Sequence, residues 1–126
     1  FVVTLPKITQ SGQVTTLVDA FAKLETIYRL PSGTLRLELM VETPQSIFDE
    51  RGAVALPALV KEGRGRITAA HFGTYDYTAS LGITASHQHM RHPACDFARS
   101  VMQVALAGTD VWLSDGATNV LPVGTD

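Results

Sequence analysis

Acidic residues and one lysine occupy equivalent places in the sequence, each directly after a short apolar run. These residues are Lys7, Glu42, Asp76 and Asp115. If the runs are parallel strands, their ends meet at one edge of the sheet, where carboxylates repel one another unless a cation lies between them. Oxygen ligands without a thiolate suit Mg²⁺ or Mn²⁺. The pattern therefore predicts either a divalent metal site or acids that cap helices and pair with arginine.

The segment Leu35–Thr43 is the element around which such a site would be built. Its residues alternate between two faces, as in a strand. One face carries Leu37, Leu39 and Val41, and the other carries Arg36, Glu38, Met40 and Glu42. Thr43 then offers a capping hydroxyl, and Pro44 suits the first position of a helix. Folds of the α/β class build sites where a strand ends and a helix begins in this way.

Strand patterns and helix patterns alternate along the rest of the chain. The expected strands are Phe1–Lys7, Leu35–Thr43, Ile67–Phe72 and Val111–Leu113. Four helices are expected. The first starts near Gln13 and ends before Pro31, the second covers Pro44–Phe48, the third covers Leu56–Glu62, and the fourth runs from Pro93 to a stop at Gly108. In the last helix, we expect Phe97, Val101, Val104 and Ala105 to face inward. We expect a polar, irregular segment between Asp76 and Arg91.

This order of elements is a row of βα units, which builds a parallel sheet. At 126 residues and 45 % hydrophobic content, the chain can form one core and is too short for two ordinary domains. We therefore predict an α/β fold in which residues 1–126 form part of a (β/α)₈ TIM barrel, with about four βα units. Half a barrel has two unpaired edges. We expect further strands from a longer chain, of which this is an excerpt, or from a partner chain.

Composition argues against several classes of partner. The net charge is −2 and there is no basic cluster, so nucleic acid and an anionic membrane surface are not expected partners. No apolar run approaches the ~20 residues of a membrane span, and no signal-peptide pattern is present. Cys95 is the only cysteine, so an internal disulfide is impossible and a reducing cytoplasm is the expected location.

Histidines and the cysteine offer a second candidate metal site. His87, His89, His92 and Cys95 have suitable ligand types for zinc, but their spacing matches no common zinc module. The alternative is a polar loop followed by a buried thiol, with His92 at the start of a helix. His71 is likewise either a proton-transfer residue or a hydrogen-bonded core histidine.

Two charged residues near the predicted edge also have more than one interpretation. Lys7 would neutralise an acid or a substrate anion, or else simply extend into solvent from a strand end. Glu38 would lie about 13 Å below Glu42 at ~3.3 Å per residue. A carboxylate inside a barrel requires a charged or multiply hydrogen-bonded partner, and Arg36 is the nearest candidate on its own strand.

Three motifs resemble those of a known family in order and spacing. They are T-L-P-K at Thr4–Lys7, L-M-V-E-T-P at Leu39–Pro44 and H-F-G-T-Y-D-Y-T-A-S-L-G at His71–Gly82. The chain thereby resembles the fourth to seventh strands of the HpcH/HpaI aldolase and citrate lyase β-subunit family of TIM barrels. The P-A-C-D-F-A-R helix and the ending Leu113–Pro122 resemble an uncharacterised branch of it.

The resemblance implies a set of site residues. Glu42 and Asp76 would hold Mg²⁺, which would chelate a 2-oxo acid through its carboxylate and adjacent carbonyl. Thr43 and the backbone amides around Gly73 and Thr74 would bind the substrate. The family's arginine lies on an earlier strand outside this sequence, so we expect this chain to be inactive alone. Lys7 and Asp115 are the predicted catalytic residues.

The predicted function is that of a Mg²⁺-dependent carbon–carbon lyase or aldolase. Its substrate would be a 2-oxo acid or an acyl adduct such as a coenzyme A thioester, reacting through a metal-stabilised enolate. The alternatives are thioester hydrolysis, phosphoryl transfer from phosphoenolpyruvate, and a barrel that binds a metabolite without turnover. The family commonly forms trimers or hexamers, which predicts a homo-oligomer.

Overall fold

The computed structural model describes residues 1–120 and 123–124 of the chain, so Leu121 and Pro122 of the last motif lie outside it. The strands are β1 (Val2–Leu5), β2 (Arg36–Val41), β3 (Ile67–Phe72) and β4 (Trp112–Ser114). The helices are α1 (Ser11–Ile27), α2 (Pro44–Ile47), α3 (Leu56–Glu62), α4 (Thr74–Ser80) and α5 (Pro93–Leu106), with a 3₁₀ turn at Ala85–His87. None of the helices in the described part combines the length and apolar character that crossing a membrane requires.

The strands form one parallel sheet in the order β1-β2-β3-β4. Val41 pairs with Phe72 at the end of β2 and β3, so Glu42 and Gly73 leave the sheet at the same level. Sequential parallel strands joined by helices are the repeating unit of a (β/α)₈ barrel. The predicted fold class, α/β with about four βα units of such a barrel, is confirmed.

The core lies between one face of this sheet and the helices. Leu37, Leu39 and Val41 of β2 are fully buried there, together with Val14 and Val18 of α1. The opposite face of β2 is exposed at Arg36 and partly buried at Glu38 and Met40. The predicted alternation of β2 is thus confirmed, and the polar side of the strand faces the concave surface of the sheet.

Strands β1 and β4 form the two edges of the sheet. All three residues of β4 are exposed, and Trp112 has 79 % of its surface accessible. An exposed apolar strand edge is a surface that proteins usually cover. That further strands pair with these edges stays a prediction.

Helix α5 presents a different face to the core from the one we expected. Phe97 is 51 % exposed and Val104 is 79 % exposed, whereas the buried residues are Cys95, Ala98, Met102 and Leu106. Both sets satisfy helical spacing, so the pattern alone permits either orientation. The expected inward orientation is therefore wrong for Phe97 and Val104. Small side chains such as Ala98 allow α5 to approach the sheet closely.

The segment after Asp76 is also more regular than we expected. Helix α4 continues to Ser80 and is followed by the 3₁₀ turn at Ala85–His87. Tyr77 faces the core and meets Phe72 edge to face at 5.3 Å between ring centroids. Burial of Tyr77 stabilises a short helix whose polar sequence does not predict one.

A buried ion pair at the amino-terminal ends of the strands connects three elements. The Glu25 carboxylate at the end of α1 accepts hydrogen bonds from the Arg66 guanidinium at 2.6 and 2.8 Å. It also accepts from the backbone N–H groups of Gly33 and Leu35, which precede β2. The Arg66 hydrogen bond is the main reason that the pKa of Glu25 falls to about 2. The sequence analysis did not identify this pair.

Candidate metal and substrate site

Lys7, Glu42 and Asp76 meet where β1, β2 and β3 end. The Lys7 backbone N–H donates to Glu42 Oε1 at 2.8 Å. The Lys7 ammonium nitrogen lies 2.9 Å from Asp76 Oδ2. Glu42 is buried, whereas the side chains of Lys7 and Asp76 are 66 % and 52 % exposed. The structure therefore brings together the two predicted metal ligands and one of the two predicted catalytic residues.

An unusual backbone conformation lets Lys7 contact both acids. Its φ angle is +50°, in the left-handed region that residues other than glycine seldom adopt. This turn directs the Lys7 N–H toward Glu42 while the side chain reaches Asp76. The two contacts offset the cost of a strained conformation.

The ion pair also determines the charge state of the site. The hydrogen bond from Lys7 lowers the pKa of Asp76, and the charge of Lys7 acts in the same direction, while burial opposes the change. The same hydrogen bond to Asp76 raises the pKa of Lys7. Both partners are thus ionised at neutral pH. In this structure the Lys7 ammonium pairs with Asp76, and its charge also acts on Glu42.

Gly73 provides space for the Glu42 carboxylate. A Cβ atom at position 73 would lie 2.7 Å from both Cβ and Oε2 of Glu42, which is closer than real Cβ contacts. The Gly73 N–H is already used, because it donates to the Val41 carbonyl at 2.9 Å. Gly73 therefore makes room for the Glu42 carboxylate. Its amide is already bonded to Val41, so it is not free for the predicted contact with a substrate carboxylate.

Thr43 caps helix α2, as predicted. Its hydroxyl oxygen accepts from the Ser46 N–H at 3.1 Å, and its hydroxyl proton is donated to the Ile8 carbonyl. Both bonds hold the turn after Glu42 in place. A substrate contact by this hydroxyl stays a prediction, and it would require one of these bonds to break.

Thr74 lies beneath the loop that follows β4. Its side chain is buried, and its Oγ1 has no hydrogen-bond partner within the described part of the chain. A Cβ atom on Gly116 would lie 2.3 Å from this Oγ1. The N–H of Thr74 opens α4 and therefore has no acceptor within the helix. A contact of this N–H with a substrate carboxylate stays a prediction.

Asp115 is bound to an arginine instead of joining the other acids. Its Oδ1 accepts from Arg99 Nη1 at 3.1 Å and from the Gly116 N–H at 2.7 Å. Arg99 also donates to Asp96 at 2.6 Å and to the Met90 carbonyl at 2.7 Å. The arginine thus holds the loop after β4 against α5. A catalytic role of Asp115 stays a prediction, and we did not identify Arg99 from the sequence.

Asp115 thus matches the alternative interpretation of a strand-end acid that pairs with arginine. Within residues 1–120 and 123–124, no group of three or more histidine, cysteine, aspartate or glutamate side chains is arranged to hold a metal ion. Glu42 and Asp76 remain as a pair. Magnesium commonly takes one or two protein carboxylates and completes its coordination with water and substrate oxygens. Two hard oxygen donors, with Gly73 leaving room beside one of them, fit this requirement.

The histidine-rich segment has structural roles. His92 caps α5, because its Nδ1 accepts from the Ala94 N–H at 3.1 Å. Cys95 is buried, which raises the pKa of its thiol, and its Sγ donates to the His89 carbonyl at 3.8 Å. The structure thus favours the alternative of a polar loop and a buried thiol over a zinc site.

The remaining polar residues on the concave face make simple contacts. His71 is partly buried, and its Nδ1 lies 2.7 Å from Ser114 Oγ on the neighbouring strand. Glu38 accepts a hydrogen bond from Thr4 at 3.4 Å, so the expected pairing with Arg36 is wrong. The concave face is open here, and a partly exposed Glu38 does not require a charged partner.

Comparisons with known proteins identify a family and a fold. The family model for a domain of unknown function, DUF6986, matches residues 1–126. No curated protein matches the sequence. Among solved structures, the fold is similar to that of the lead(II) complex of Haloferax volcanii malate synthase, with a TM-score of 0.70 and 16 % identity. The match covers 94 % of this chain and 32 % of that one, so the chain spans about a third of its length.

Proposed function

We propose that this chain, which belongs to the DUF6986 family, carries the metal-binding residues of a carbon–carbon lyase or aldolase. The substrate would be a 2-oxo acid or an acyl adduct such as a coenzyme A thioester. The observation that carries the proposal is the meeting of Glu42 and Asp76 at the carboxyl ends of neighbouring parallel strands, on either side of Lys7. Barrel enzymes place their active sites at this edge.

Glu42 and Asp76 would hold Mg²⁺, or Mn²⁺, in this site. A divalent cation there supplies Lewis-acid stabilisation of the negative charge that develops on an enolate oxygen. Glu42 is suited to a fixed ligand, because it is buried and its Oε1 is bonded to the Lys7 N–H. Asp76, on the first turn of α4, is the more exposed of the two and lies on the side open to solvent.

Other groups of this chain would bind and orient the substrate. The first-turn N–H groups of Thr74 and Tyr75 have no acceptor within α4 and suit a substrate carboxylate. The Lys7 ammonium adds a positive charge on the same edge. Asp115 would act as a proton acceptor only after its bond to Arg99 breaks.

The malate synthase comparison supports the barrel fold alone, at 16 % identity. The proposal includes the activity and substrate of the whole protein, the strands that would complete the barrel, and a homo-oligomer that would supply them. The resemblance to the HpcH/HpaI family likewise supports the reaction class only as a proposal.

Enolate formation from pyruvate tests the proposal directly. With Mg²⁺ in D₂O, the full-length protein should exchange the methyl protons of pyruvate for deuterium, which proton NMR measures. Glu42→Gln and Asp76→Asn should each slow this exchange at least about 100-fold, because the charge developing on the enolate loses its stabilisation.

Glu38→Gln is the matched control, since it changes a carboxylate on the same strand about 13 Å from Glu42. It should leave the exchange rate unchanged. Full exchange in both Glu42→Gln and Asp76→Asn would contradict the metal assignment. Mg²⁺-dependent binding of oxalate without exchange or turnover would instead favour a barrel that binds a metabolite. Pyruvate release from candidate adducts separates a lyase from a thioester hydrolase.

A further inference from the structure

Lys7 is attached to the site at two points that differ in mobility. Its backbone N–H bonds to the buried Glu42 carboxylate at 2.8 Å. Its ammonium bonds to Asp76 at 2.9 Å, and both of these side chains are more than half exposed. The backbone contact is therefore sheltered, whereas the side-chain contact is an exposed ion pair of the kind that exchanges partners readily. The lysine stem can move away without disturbing the strand end.

The ammonium and a divalent cation would compete for the same acid. Lys7 already binds Asp76 Oδ2, and its charge also acts on Glu42. A cation held by both acids would repel the ammonium at short range. Because the lysine is tethered to Glu42 through its own backbone, the displaced ammonium would remain at the edge of the site.

We propose that Lys7 is an internal counter-ion that a divalent cation displaces from Asp76, and that the displaced ammonium then binds the anionic group of the substrate. This inference rests on the proposed metal site and adds an order of events to it. In the metal-free protein, Lys7 neutralises the acid pair. After metal binding, the same positive charge becomes available to a carboxylate-bearing substrate.

The test compares metal binding and anion binding in Lys7→Met. Methionine keeps an unbranched stem at the strained position but removes the charge. Manganese binding, measured by electron paramagnetic resonance, should become about three- to fivefold tighter, as expected for loss of an exposed ion pair. In the presence of saturating Mn²⁺, oxalate binding by calorimetry should become weaker by a similar factor. Opposite changes in the two affinities are not expected from a purely structural role.

Two control variants accompany Lys7→Met. Lys7→Arg keeps the ion pair and should bind Mn²⁺ as the unmodified protein does. Lys61→Met removes an exposed lysine in the last turn of α3 and should change neither affinity. If Lys7→Met unfolds the protein, as circular dichroism would reveal, Lys7→Gln provides the same comparison.

The outcomes distinguish this inference from the proposed function. An unchanged manganese affinity in Lys7→Met, together with lost binding in Glu42→Gln, would overturn the counter-ion role and leave the metal site standing. An oxalate affinity that does not fall would overturn the second half of the inference. Absence of manganese binding in the unmodified protein would overturn both proposals.

Discussion

At Gly73, the missing side chain is what allows a buried carboxylate to lie against the start of α4. The φ angle of this residue is −100°, which any residue can adopt, so its backbone does not require glycine. Space is the constraint, since a Cβ atom would meet Glu42 at 2.7 Å. Gly73 is therefore part of the proposed metal site without being a ligand.

Gly73→Ala should weaken manganese binding at least about tenfold, because Glu42 must move to accommodate the new methyl group. Overpacking of this kind should also lower the free energy of unfolding by about 1–3 kcal/mol. Calorimetry and urea denaturation measure the two effects. Gly12→Ala is the control, since no atom apart from its chain neighbours and the nearby backbone of α1 lies within 4 Å of its Cβ position. It should leave metal binding unchanged, and equal binding in both variants would contradict the role of Gly73.

At the scale of elements, the Glu25–Arg66 pair fixes how α1 meets the sheet. The pair lies at the amino-terminal edge of the strands, opposite the proposed metal site. Barrel folds use this edge for stability and the other for chemistry. The carboxylate also accepts the N–H groups of Gly33 and Leu35, so it orders the turn into β2 as well.

This pair predicts how stability changes with pH. The pKa of Glu25 is lowered from 4.5 to about 2 on folding. The unfolded chain therefore takes up the proton first, and stability present above pH 4.5 declines as the pH falls toward 2. Glu25→Gln should be less stable than the unmodified protein at pH 7, and the difference should shrink across this interval. Urea denaturation at several pH values measures it.

Asp19→Asn is the matched control for Glu25→Gln. Asp19 also pairs with an arginine of the same region, Arg64, at 2.8 Å, but both side chains are more than half exposed. Its free energy of unfolding should change by at most about 1 kcal/mol. A Glu25→Gln variant with the pH profile of the unmodified protein would contradict the assigned role of the pair.

At the scale of the whole molecule, the orientation of α5 determines which apolar side chains are exposed. Its outward residues Phe97 and Val104 form an open apolar groove with Val54 and Pro57, beside α3. The inward residues are smaller or more flexible, and Met102 is almost completely buried. One face of α5 thus packs closely against the core, whereas the other face leaves a larger apolar surface exposed.

Met102→Ala should lower the free energy of unfolding by about 2–5 kcal/mol, because it leaves a cavity in the core. Val104→Ala is the control and should change it by less than about 0.5 kcal/mol, since its side chain is 79 % exposed. Chemical denaturation measures both. A larger loss of stability in Val104→Ala than in Met102→Ala would instead support the orientation predicted from the sequence, in which Phe97 and Val104 face inward.

Much of the βα order follows from local patterns in the sequence. The alternation in β2, the proline after Thr43 and the helix before Pro31 depend on near neighbours, and the structure confirms each of them. The meeting of Glu42 and Asp76 is also predictable, because parallel strands must end at one edge. Sequence patterns could not predict the partners of exposed acids, since Asp115 had several possible cations and contacts Arg99.

By itself, the sequence determined most of the strands and helices, although not α4, and which strand ends carry acids, because these properties repeat over a few neighbouring positions. Only the tertiary structure decided that Lys7 contacts Glu42 through its backbone and Asp76 through its ammonium, that Gly73 makes room for Glu42, and that Glu25 and Arg66 form a buried pair. These contacts join residues more than 30 positions apart. Their geometry depends on backbone turns and helix rotation, which local periodicity leaves undetermined.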